Sequence, residues 1–121
     1  MSVALPVAEA QQTFTPMLLD AARSRKLGFG LDPGVELGPV ITPESQQRIV
    51  GLVDRGVTQG GALLVDGRRV RVEGYEHGNF VGATVLELPD ARHQLAQTEI
   101  FGPVLSLMKA ATLDEALAVV N

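Results

Sequence analysis

Cysteine is absent from all 121 residues. That excludes a disulfide framework, a thiolate zinc site and a cysteine nucleophile within the chain. Basic residues are in the minority, with 10 Lys and Arg against 14 Asp and Glu and a net charge of −4. A nucleic-acid binder carries the opposite balance, or a basic stripe. The one dense basic run, Arg68-Arg69-Val70-Arg71, is short. It reads as a solvated loop or strand face rather than a phosphate-binding patch. No run approaches the roughly 18 apolar residues needed to cross a membrane. Met1 to Ala10 is apolar, but it has no basic flank and Glu9 soon follows, so it does not read as a secretory signal. The default compartment is cytoplasmic. His77 and His93 are the only histidines. Neither sits in an H-E-x-x-H pattern, so no metal site is expected and each reads as a surface histidine. The serines lack the G-x-S-x-G elbow of a serine nucleophile.

Hydrophobic residues make up 45% and charged residues 20%, the balance of a globular chain rather than a disordered one. The length suits one domain or part of a larger one. Thirteen glycines and seven prolines, without a period, point to many turns. Val7, Ala10, Phe14, Met17, Leu18, Ala21 and Ala22 have helical spacing within Ser2 to Leu27. Pro16 either kinks that helix or opens a second one capped by Thr15. Arg23, Arg25 and Lys26 suit its C-terminal end, and Gly28 is placed to end it in a left-handed conformation. The cluster Gly28, Gly30, Gly34 lacks G-x-G-x-x-G spacing and follows a helix, so it reads as a structural turn.

Thr42 is a cap for a second helix, with Pro43 at its first position and Glu44 beside the dipole. Ile49, Val50, Leu52 and Val53 form its buried stripe, and Gly60-Gly61 ends it. Ala62 to Val65 is a strand. Asp66-Gly67, followed by alternating Val70 and Val72, predicts a hairpin. Phe80 to Leu88 reads as a strand buried on both faces. Ala91 to Gln97 is a short helix or turn, and Val104 to Met108 another buried strand. Thr112 with Glu115 three residues on is a capping box for a last helix, with Leu113, Ala116, Leu117 and Val120 as its apolar stripe. Such a helix normally leads into a further strand, which the sequence does not contain. The fold class is α/β, a sheet covered by helices on both sides, and incomplete.

The most specific segment is Thr98-Glu99-Ile100-Phe101-Gly102-Pro103-Val104. A carboxylate accepts two hydrogen bonds and suits ribose hydroxyls. An aromatic face suits a planar heterocycle. A capped turn with a core Phe fits the same residues equally well.

Glu99 to Val104 resembles the E-[IV]-F-G-P-V signature of the NAD(P)-dependent aldehyde dehydrogenase superfamily. Gly38-Pro39-Val40-Ile41 is similar to its G-P-[LV]-[IV], Gly78 to Thr84 to its G-x-[FY]-x-x-P-T, and Leu113 to Ala116 to its L-[DE]-E-A. Within that superfamily, Leu64-Val65-Asp66-Gly67-Arg68, Gly74-Tyr75-Glu76 and Gly78 to Gly82 resemble the methylmalonate-semialdehyde dehydrogenase group. The resemblance covers essentially the whole chain. It departs at Ala83, where Pro is usual, and at Thr98, where many relatives have a second Glu.

The resemblance implies that residues 1–121 form part of the catalytic domain, beginning just after the family's nucleophilic Cys, with Met1 aligned to the Met that often follows it. It implies NAD as cofactor, CoA as co-substrate and a small aldehyde as substrate of the complete enzyme. It assigns Glu99 to the nicotinamide ribose and Phe101 to the nicotinamide ring, and it gives this chain no catalytic residue. The expectation is an inactive piece of an oxidoreductase. The alternative is a non-catalytic module that docks on a full-length relative or forms a homo-oligomer. Binding of nucleic acid or membrane is not expected.

Overall fold

The computed structural model describes residues 3–121. Met1 and Ser2 lie outside the described residues, and with them the alignment of Met1 and the start of the first expected helix. The elements are β1 (Val3–Ala4), α1 (Ala10–Ser24), α2 (Pro43–Thr58), β2 (Ala62–Val65), β3 (Thr84–Glu87), α3 (Gln94–Gln97), β4 (Val104–Leu107) and α4 (Leu113–Val120). The strands form one mixed sheet in the order β1-β4-β3-β2. β4 is parallel to both β1 and β3, with Val3 opposite Ser106 and Thr84 opposite Val104. β2 runs antiparallel to β3, with Leu63 opposite Leu86.

Alternation along β3 sends successive side chains to opposite faces. Leu86 points at α2, close to Gly56, where a β-carbon would come within 2.8 Å of it. Val85 lines a cleft floored by the strands and walled by Leu18 and Ala22 of α1. The sheet therefore carries α1 on one face and α2 with α3 on the other, as the α/β reading expects. The core lies on the α2 side, around Ile49, Val53, Val81, Leu86, Leu95 and Val104.

Local signals decided α2. The Thr42 side chain accepts from the Ser45 amide at 3.1 Å, Pro43 opens the helix and Glu44 sits in its first turn. Ile49, Leu52 and Val53 are buried, while Val50 is only half-buried. Gly60, at φ +98°, turns the chain out of the helix. In α4 the Thr112 hydroxyl accepts from the Glu115 amide, and the Glu115 carboxylate accepts from Ala111 rather than from Thr112.

Five expectations need correction. First, of the two readings of Pro16 the single helix is found and the second helix is not: Pro16 lies inside α1, so Thr15 caps nothing and its buried hydroxyl has no partner among the described residues. It ends at Ser24 on an extended Arg25, before Gly28 is reached, and Gly28 is not left-handed. Val7, counted in its stripe, lies before it in an isolated bridge to Ala110. Second, there is no hairpin at Asp66-Gly67: residues 66–83 contain no strand, and β2 pairs with β3 instead. Third, the strand expected from Phe80 is confined to Thr84–Glu87, although Phe80 and Val81 are buried. Fourth, His93 is 7% exposed and not a surface residue. Its Nδ1 accepts from the Leu95 amide, so Nε2 carries the proton and donates to the Gly56 carbonyl at 3.1 Å. Fifth, of the α4 stripe only Ala116 is buried, whereas Leu113, Leu117 and Val120 are exposed. The two-residue strand β1 carries no periodic signal, and its Val3-Ala4 pairing depends wholly on β4.

Candidate functional site

Three separated motifs meet at the N-terminal ends of β3 and β4. The Val40 amide donates to the Asn79 carbonyl at 2.8 Å, joining Gly38-Pro39-Val40-Ile41 to Gly78-Asn79-Phe80. Gln46, in the first turns of α2, donates its side-chain amide to the Phe80 carbonyl at 2.8 Å. The Thr84 amide donates to the Pro103 carbonyl at 2.9 Å, so the β3 motif and the β4 motif are stitched where both strands begin.

The turn 98–103 is held from beneath. Ile100 is buried in the core. Its carbonyl accepts from the Arg48 guanidinium at 2.6 Å. Gly102 packs against Ile49, where a β-carbon would lie 2.6 Å from its Cδ1. Thr98 donates its hydroxyl to the Gln94 carbonyl and closes α3. With residue 100 turned inward, its neighbours on either side turn outward. Glu99 is exposed, and Phe101 is 77% exposed with φ +51°. Left-handed backbone is uncommon for a bulky side chain and is held only where surrounding contacts over-determine it. A core Phe, one of the two readings left open by the residues alone, is not what is found. Ile100 is the core residue, and the aromatic ring faces solvent.

Glu99 and Phe101 thus share one exposed turn. Gly102, Pro103 and Val104 instead line the cleft of about 460 Å³ beneath α1, with Arg25 and Glu36 paired at 2.8 Å on its wall. Ala83 is half-buried and lines the same cleft.

A second junction lies behind β3. The segments Leu64 to Arg68 and Gly78 to Gly82 cross at Gly67 and Gly82, so tightly that a β-carbon on Gly67 would fall 2.1 Å from the Gly82 carbonyl oxygen. The Gly82 amide donates to the Gly67 carbonyl, and the Gly67 amide donates to the hydroxyl of Thr84, which is 1% exposed. Arg68 is not part of an open basic patch. It pairs with Asp66 at 2.7 Å and Asp54 at 2.5 Å. The hydrogen bond from Arg68 holds the Asp66 carboxyl below the usual carboxylate range, and the two carboxylates push the guanidinium up, Asp66 more than Asp54. Tyr75 stacks on Phe29, ring centroids 5.6 Å apart, tying the Gly74-Tyr75-Glu76 loop to the Gly28 to Gly34 turn.

Among the described residues no group of three or more His, Cys, Asp or Glu could hold a metal ion. No described helix is long and apolar enough to cross a membrane. Sequence reasoning named Glu99 and Phe101 as candidates and did not foresee the contact of Arg48 with their turn. Its only signal was a cation one turn into a capped helix.

The family model for the aldehyde dehydrogenase family matches residues 2–121. The chain is 43% identical over its full length to the mitochondrial methylmalonate-semialdehyde/malonate-semialdehyde dehydrogenase [acylating] of Mus musculus, and spans 22% of that protein. It superposes on methylmalonate-semialdehyde dehydrogenase of Oceanimonas doudoroffii with a TM-score of 0.90 at 34% identity, over 98% of this chain and 25% of that one. An aldehyde dehydrogenase of Mycobacterium tuberculosis complexed with NAD+ gives a TM-score of 0.90 at 28% identity, over 100% of this chain and 25% of that one.

Proposed function

Because the chain belongs to the aldehyde dehydrogenase family, we propose that it is the nicotinamide-side portion of a catalytic domain of the methylmalonate-semialdehyde type. The complete enzyme would oxidise a small semialdehyde with NAD and pass the acyl group to CoA. The observation that carries this is the turn itself, with an exposed carboxylate and an exposed ring flanking a buried Ile100.

These residues fit the nicotinamide end of NAD. The Glu99 carboxylate offers acceptor oxygens to the two ribose hydroxyls. The Phe101 ring offers an apolar face to a planar ring and keeps water from its other side. When bound, the cofactor supplies the hydride-accepting ring; the chain's contribution is orientation, not bond-making.

The topology supports placing the family's nucleophile just before position 1. β1 is parallel to β4, so its N-terminal end lies at the end of β4 that carries the Glu99 to Val104 turn. The covalent step itself needs a thiolate, and the chain has no cysteine. Alone it is inactive. The cytoplasmic default rests on residues 1–10 not reading as a secretory signal, whereas the mouse relative is named as mitochondrial.

The test is NADH formation from malonate and methylmalonate semialdehydes with CoA by the pure 121-residue protein. None is expected, and any turnover that survives exhaustive purification would overturn the inactive reading. A second reading, a non-catalytic module docking on a full-length relative, is favoured by the exposed Leu113, Leu117 and Val120 of α4. A monodisperse complex in sedimentation with such a relative would support it; failure to associate would remove it.

A further inference from the structure

We infer that Arg48 is the positioning residue of the Glu99–Phe101 turn, acting through the Ile100 carbonyl; the inference rests on the ribose and ring roles proposed above. The geometry holds the turn on both sides of Phe101 and leaves residue 101 itself to be fixed. The Ile100 side chain is buried, which fixes the turn on its N-terminal side. Gly102 is seated on Ile49, which fixes it on the other. Between fixed residues 100 and 102 the backbone can still rotate, changing ψ of residue 100 and φ of residue 101 and swinging the Phe101 ring with them. The Ile100 carbonyl decides which way the peptide faces. The Arg48 guanidinium, 2.6 Å away, holds that carbonyl with a charge-assisted hydrogen bond. It thereby keeps Phe101 at φ +51°, a conformation its side chain would otherwise leave.

Two consecutive residues of α2 do this together, Arg48 on the carbonyl and Ile49 against Gly102. The Thr42 cap and Pro43 fix the start of that helix. The path runs from a helix cap to the direction of an exposed ring. Arg48 is itself exposed, so truncating it empties no core space.

The experiment is NMR on the full 121-residue protein and on Arg48→Met and Arg48→Lys. In the unmodified protein, a scalar coupling across the hydrogen bond between the guanidinium nitrogen and the Ile100 carbonyl carbon is expected. Its absence overturns the inference without any variant. In Arg48→Met the Phe101 φ should become negative while the rest of the spectrum keeps its dispersion; in Arg48→Lys it should stay positive. Nicotinamide mononucleotide is the ligand probe, read at the Glu99 and Phe101 amides. Its affinity should fall about tenfold in Arg48→Met, the loss expected from one charge-assisted contact, and recover with Lys. An unchanged positive φ in Arg48→Met refutes the positioning role, whatever the nucleotide does. A flipped Phe101 with no nucleotide shifts even in the unmodified protein upholds that role and refutes the ribose reading.

Discussion

Gly67→Ala tests the crossing that joins two of the motifs. The new β-carbon would stand 2.1 Å from the Gly82 oxygen, 2.3 Å from its carbonyl carbon and 2.6 Å from its α-carbon. These are backbone atoms, so no rotamer change relieves the overlap. Overpacking of this kind costs about 1–3 kcal/mol. Separating the two segments also weakens two hydrogen bonds, Gly82 to Gly67 at 2.8 Å and Gly67 to Thr84 at 3.1 Å, at about 1 kcal/mol each. Loss of unfolded-chain freedom on replacing glycine returns about 0.4–1 kcal/mol. The net is a destabilisation of about 2–4 kcal/mol, a large part of the total for a chain of this length. Gly30→Ala is the control, because nothing lies within 4 Å of its β-carbon and its φ is not left-handed; it should be neutral or slightly stabilising. Urea unfolding followed by circular dichroism gives both midpoints, with m unchanged if the comparison is sound. A Gly67→Ala midpoint equal to that of Gly30→Ala would refute the reasoning.

Thr84→Val keeps the shape of a buried side chain but removes the acceptor of the Gly67 amide, so urea unfolding should show a loss of about 1–3 kcal/mol. Thr42→Ala removes the α2 cap and should cost about 1 kcal/mol by the same measurement. The Asp66–Arg68 pair gives a pH dependence of defined sign. The folded-state pKa of Asp66 is lowered, so its contribution is complete above the unfolded carboxylate value and is lost as pH falls through the folded one. Arg68→Ala should therefore cost stability at neutral pH, about 0.2–1 kcal/mol for a pair this exposed, and the difference from the parent should vanish in acid. A constant difference across an acid titration of the unfolding midpoint would contradict it.

The elements legible from the residues were those decided locally. Thr42-Pro43-Glu44 and Thr112 with Glu115 marked two helix starts because a cap needs only its own next three amides. The Asp66-Gly67 signal was misleading for a physical reason. A turn glycine and a crossing glycine look alike in sequence, and here Gly67 is glycine because Gly82 passes against it, not because a hairpin turns there. Asp66, the other half of the signal, is engaged by Arg68. His93 was misread as a surface residue for a similar reason: its acceptor is the Gly56 carbonyl, on a helix that approaches α3 closely where Gly56 lacks a side chain. β1 is two residues long, and no period can be read from two residues.

The site divides along the same line. Glu99 and Phe101 were legible as a pair because their chemistry is in their own side chains and their motif is contiguous. The outward presentation of Phe101 was not, because it depends on one carbonyl and on a guanidinium 52 positions away in sequence. Helical spacing accounts for the difference in kind. Arg48 and Ile49 are neighbours on α2, yet one is exposed and the other fully buried. Consecutive helix positions lie about 100° apart around the axis, so the pair can reach across one edge of a packed helix. One reaches the turn's backbone from outside and the other from the core. A charge at that edge position reads from sequence as an ordinary solvated residue; only the turn lying across it turns the charge into a support for Phe101.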